Sequence, residues 1–184
     1  VIRFFRDKIS QHLQSGNLKD AKSYCERLRA LAPDDLPTIK LSAEIGEKIG
    51  ENESAKQEYQ RLYEIYTRDG LLEDARGILE KILSLFPEDE DTLLKLLDLA
   101  EKMGNIDALP DLFYQLACIY ENNKQDQSAR DHFKKAWDKS NETHLPSVKK
   151  LIKLAFIEKD APTLKNYVLR TIPILESQND HDTI

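Results

Sequence analysis

Glycine and alanine recur along this chain at fixed intervals. Gly16 and Gly50 lie 34 residues apart, as do Gly70 and Gly104, and Ala21 and Ala55 keep the same step. An interval of 54 residues overlies the first. It separates Gly16 from Gly70, Gly50 from Gly104, Ala21 from Ala75, Ala75 from Ala129, and Pro33 from Pro87. Only six glycines occur in 184 residues, so four of them on one ruler are not a composition effect. Glycine supplies the left-handed residue that ends a helix. Alanine lets two helix axes approach. Their joint periodicity predicts helices that turn back at regular steps, each pair too small to bury its own apolar face and therefore stacked on the next.

Between these markers the apolar residues keep helical spacing. Helices are expected over 1–15 (Phe5, Ile9 and His12 inward), 18–32 (Ala21, Cys25, Leu28) and 36–49 (Ile39, Ala43, Gly46). The next are expected near 52–69 (Ala55, Tyr59, Leu62, Tyr63, Tyr66) and 72–86 (Ala75, Leu79, Ile82). A helix around 93–103 is so rich in leucine that burial on more than one side is expected. Further helices are read over 106–122, 125–139, 145–157 and 161–177. Pro173 should kink or end the last, because it removes a backbone donor and clashes with the preceding turn. Residues 177–184, SQNDHDTI, read as a frayed polar end.

The stretch Pro110–Trp137 carries the pattern in its clearest form. Counting Pro110 as the first position, Phe113 is fourth, Leu116 seventh, Ala117 eighth and Tyr120 eleventh. Ala129 is twentieth, Phe133 twenty-fourth and Ala136 twenty-seventh. This resembles the tetratricopeptide repeat, a 34-residue helix–turn–helix unit. Asn141 stands where the family has proline. Gly16, Ala21, Leu28 and Pro33 fit the second helix of the same unit, with Cys25 in place of an aromatic residue. Tyr59, Leu62, Tyr63, Tyr66, Gly70, Ala75, Leu79, Ile82 and Pro87 fit it as well. Helix 52–69 can thus be the second helix of one unit or the first of the next; counting from the amino end favours the second. After residue 140 the fit fades, and Lys150, Thr163 and Arg170 fall on packing positions.

The resemblance implies an all-α fold, an α-α superhelix: a right-handed solenoid of antiparallel helix hairpins with about ten helices. The expected units are 1–34, 36–69, 71–104, 106–141 and 143–177, followed by a polar tail at 178–184. It further implies a non-enzymatic scaffold or adaptor that binds a peptide or helix of a partner protein in its concave groove. The groove positions carried over onto this chain are Arg3 and Arg6 in the first unit, Lys40, Glu44 and Glu47 in the second, and Asp111, Tyr114, Cys118 and Glu121 in the clearest one. The asparagines of a carboxylate clamp are missing, so capture of a partner's C-terminal carboxylate is not expected. The chain opens without Met, which suits the alternative of a regulatory or oligomerisation domain cut from a longer enzyme or sensor.

Charge narrows the partners. Net charge is −6 and the pI about 5.3, which disfavours general nucleic-acid binding. The distribution is uneven: residues 124–170 hold eleven lysines and arginines against six acids, a net +5, while residues 1–123 carry about −8. The basic part reads either as a solvated surface or as a patch for an acidic protein. No apolar run approaches the ~20 residues of a membrane span. Cys25 and Cys118 read as reduced thiols of a cytoplasmic protein. Exposed Leu or Phe at either end of such a stack could drive homodimerisation.

No catalytic, cofactor or metal motif stands out. There is no glycine-rich phosphate loop, no Cys-x-x-Cys and no His-Glu-x-x-His. His12, His132, His144 and His181 sit in separate elements. The acidic run Glu88–Asp91 suits a helix N-terminus better than a metal. Tyr59, Tyr63 and Tyr66 read as core.

Overall fold

The computed structural model describes residues 1–179 and is all-α. Ten α-helices follow in order: α1 (Ile2–Gln14), α2 (Leu18–Leu31), α3 (Leu36–Lys48), α4 (Asn52–Arg68), α5 (Leu72–Leu85), α6 (Glu90–Met103), α7 (Leu109–Asn122), α8 (Asp126–Lys139), α9 (Leu145–Ile157) and α10 (Ala161–Asn179). A single 3-10 turn, Ile106–Ala108, precedes α7, where the sequence pattern suggested continuous helix. No strand occurs among the described residues. The expected polar tail lies outside the described residues from 180 onward, as does His181. The chain divides into two compact units, Val1–Asp89 and Glu90–Ile184.

In the first unit, α1 and α2 close on Ile9, Ala21, Cys25 and Leu28, joined by Ile45 of α3. Gly16 ends the α1 turn with φ +73°, and Gly50 and Gly70 repeat the conformation after α3 and α4. Gly46 marks the closest helix approach. A Cβ built there would lie 3.3 Å from the Cβ of Ala55, so α3 and α4 meet through a glycine and an alanine. Helix α4 packs on both α3 and α5. The side chains of Asn17 and Asp35 accept from backbone N–H groups and cap α2 and α3.

In the second unit, α7 and α8 close on Ala117, Ala129, Phe133 and Trp137, with Val148 and Leu151 of α9 completing the cluster. The α7–α8 and α9–α10 turns reach the left-handed region with Lys124 (φ +58°) and Lys159 (φ +57°) instead of glycine. Two expectations are corrected. Helix α6 hides Leu93, Leu96, Leu99 and Ala100 but leaves Leu94 exposed, so it is buried on one side. Pro173 does not end α10, which runs on to Asn179. Pro173 and Leu169, whose carbonyl loses its helical donor, both lie on the exposed side of the helix, where water can solvate the freed carbonyl.

Within each unit, several ion pairs reach across an intervening helix. In the first unit Arg6 pairs with Asp35, Lys22 with Glu51, Arg29 with Glu58, and Lys56 with Asp89. In the second, Arg130 pairs with Glu158 and Arg170 with Glu142. Lys150 and Arg170, the poor fits to the repeat pattern, are thus bridging residues. Lys150 Nζ also lies 5.7 Å from the centre of the Phe133 ring.

Candidate functional site

The outward residues of α7 are set against α9. Nε2 of His144 lies 3.1 Å from the Asp111 carboxylate, and the Lys150 ammonium donates to Glu121. Tyr114 meets the His144 ring edge-on at 5.4 Å and the Phe133 ring at 5.6 Å. Burial first, then Cys118 beside it, raise the pKa of the Tyr114 hydroxyl, while Glu121 holds the Lys150 proton more firmly than usual. Tyr114, Cys118 and Glu121 are half-buried; only Asp111 projects well into solvent. The structure brings these four residues together but spends most of their bonding capacity on α9. A ligand on this face would have to displace satisfied contacts.

The first-unit positions separate into three kinds. Arg3 is exposed on α1. Arg6 is a bridge: its guanidinium lies 2.7 Å from Asp35, whose carboxyl is held below the usual range by Thr38 first and Arg6 second. Glu47 accepts the Tyr59 hydroxyl at 2.9 Å. Burial, with Glu47 second, raises the pKa of that phenol. Lys40 and Glu44 remain, and they line an open groove.

That groove has a volume of about 230 Å³ and is framed by α3, α4 and α5. Tyr59 and Tyr66 contribute from α4. Glu73, Asp74, Gly77, Ile78 and Lys81 contribute from α5. A Cβ at Gly77 would meet nothing within 4 Å, so the α5 wall is open there. The wall therefore mixes two lysines, three carboxylates and two tyrosine rings. Tyr66 and Lys81 were not among the expected site residues. Tyr66 lies seven residues after Tyr59, two helical turns along one face, and that spacing was assigned wholly to the core. Tyr59 is indeed buried, at 1% exposure, but Tyr66 is only half-buried.

Among the described residues no three histidines, cysteines or carboxylates stand close enough to hold a metal ion. Nor is any helix long and apolar enough to cross a membrane.

Comparison with known proteins matches residues 110–137 to the tetratricopeptide repeat. A search of the curated proteins finds no match. Among solved structures the chain is similar to BtubC (BKLC) from P. vanneervenii, with 14% identity, 93% of this chain and 78% of that one covered, and a TM-score of 0.52. It is also similar to MamA 41-end from Desulfovibrio magneticus RS-1, with 16% identity, 96% of each chain covered and a TM-score of 0.38. YrrB, a TPR protein with an unusual peptide-binding site, matches at 13% identity over 79% of this chain and 89% of its own, with a TM-score of 0.32. The likeness to BtubC shows a shared all-α fold; the lower scores of the other two carry no weight.

Proposed function

We propose that this chain, which carries a tetratricopeptide repeat in its α7–α8 hairpin, is a non-enzymatic scaffold for protein–protein interaction, acting in the cytoplasm. Its partner is an extended segment or helix of another protein, held in the groove of α3, α4 and α5. The observation that carries this reading is the composition of that groove: half-buried Tyr66 beside Lys40, Glu44 and Lys81 in an open concavity, with buried Tyr59 beneath. The rigid Tyr66 ring supplies contact area at low entropic cost, and charges of both signs suit a mixed-polarity peptide.

The test is capture of partners by the intact chain and by two variants. Tyr66→Ala with Lys40→Ala changes the groove; Tyr114→Ala with Glu121→Ala changes the α7 face. A specific partner lost with the first pair and kept with the second supports the reading. A partner kept with the first and lost with the second moves the site to α7.

A further inference from the structure

The second unit carries an uncovered apolar surface on the far side from its core. Helix α10 buries Thr171 and turns Leu164, Tyr167 and Ile174 inward, half-buried. On the adjoining sector it exposes Val168, Leu169, Ile172 and Leu175, with Leu169 at 56%. These four fall at i, i+1, i+4 and i+7, one stripe of a helix. Phe156 (71% exposed) and Ile157 (63%) are also exposed, at the end of α9 that leads into α10. Among the described residues no helix covers either set. Isolated exposed apolar side chains are ordinary, but four on one stripe of α10 form a patch of the kind that marks an interaction site.

Its border says what fits. Lys149 and Lys153 precede Phe156 on the exposed face of α9, at seven and three residues' distance. Lys159 lies in the turn and Lys165 on α10; all four are exposed. The nearby acids are largely engaged: Glu158 pairs with Arg130, and Asp160 accepts from the backbone of Thr163. Glu176 is the one carboxylate of α10. A second copy is a poor occupant. An α10-on-α10 pairing sets lysines against lysines. The other apolar candidate, α1 with exposed Ile2 and Phe4, carries three cations against one acid.

We infer that this face docks an amphipathic helix of another protein, apolar on one side and flanked by glutamate or aspartate. The apolar stripe supplies affinity, and the lysine border selects the sign of the partner. This surface belongs to the second unit and shares no residue with the groove of the first.

The test uses the full chain and two fluorescent 18-residue helical peptides with the same leucine stripe, one flanked by glutamates and one by lysines. Anisotropy should show the glutamate peptide binding at least tenfold tighter, with affinity falling as salt rises. Val168→Ser with Ile172→Ser should weaken it at least tenfold. Both positions are exposed, and an unchanged helical circular dichroism signal verifies the fold. Lys149→Glu with Lys153→Glu should reverse the preference, and Tyr66→Ala should leave it unchanged. Equal binding of both peptides, or binding indifferent to Val168→Ser with Ile172→Ser, overturns the inference. So does a dimer in sedimentation velocity that the same double substitution dissociates, since the occupant would then be a second copy.

Discussion

Lys124 adopts, at φ +58°, the left-handed backbone that Gly70 adopts at φ +74° in the preceding hairpin of the same kind. The turn geometry of the repeat is thus conserved along the chain after the glycine has gone. A side chain in this region crowds its own carbonyl, at a cost of roughly 1–2 kcal/mol. Part of that cost is offset because lysine is less free than glycine when unfolded. Lys124→Gly should therefore stabilise the chain by about 0.5–1 kcal/mol, and Gly70→Ala should destabilise it by about 1 kcal/mol. Thermal melts read both, as shifts of a few degrees in opposite directions.

The α7–α8 hairpin should not tolerate added volume at its small residues. Ala117 is fully buried against Phe133 and Trp137. Ala117→Phe should cost about 1–3 kcal/mol by overpacking, seen as a lower denaturant midpoint. An unchanged midpoint would mean the hairpin has room that its burial denies.

Ion pairs should differ in weight with burial, as a bridging pair and a pair within α5 show. Glu58 is buried and its partner Arg29 is two-thirds covered, whereas Glu73 is largely in water and its partner Arg76 partly exposed. Arg29→Ala strands a buried carboxylate and should cost about 1–3 kcal/mol. Arg76→Ala should cost under about 0.5 kcal/mol. Equilibrium unfolding of the two variants side by side checks the contrast.

Alkaline stability should depend on Cys25. Burial pushes its thiol up to about 11, from 9.0. The folded chain keeps a proton that the unfolded chain loses first. The stabilisation is complete below pH ~9 and is lost as pH rises through ~11, by an amount on the order of 2 kcal/mol. Cys25→Ala removes this dependence. The difference in stability between the native chain and the variant, followed by denaturation from pH 8 to pH 11, should shrink as pH rises. Lysines and tyrosines titrate in both and cancel.

The hairpins were legible because glycine, alanine and proline report local constraints: a left-handed turn, a close axis, a helix stop. Gly46 against Ala55 and Ala117 against Phe133 follow from that logic. The state of the α7 face was not legible. Asp111 and Glu121 are outward positions of their own helix, but their partners, His144 and Lys150, arrive from α9 about thirty residues later. Helical periodicity says which way a side chain points and nothing about what meets it. Tyr66 shows the complementary limit. It shares a stripe with buried Tyr59, yet α5 presents Gly77 near it, and the missing side chain leaves the ring beside open space.

The most direct measurement of where a partner binds is site-specific photocrosslinking. A photoreactive phenylalanine analogue is placed at position 40, at position 81 and, for comparison, at position 118. The expected result is a discrete protein adduct from positions 40 and 81, lost when Tyr66→Ala is added, with none from position 118. Adducts from position 118 with none from 40 or 81 would contradict the assignment of the groove to α3, α4 and α5.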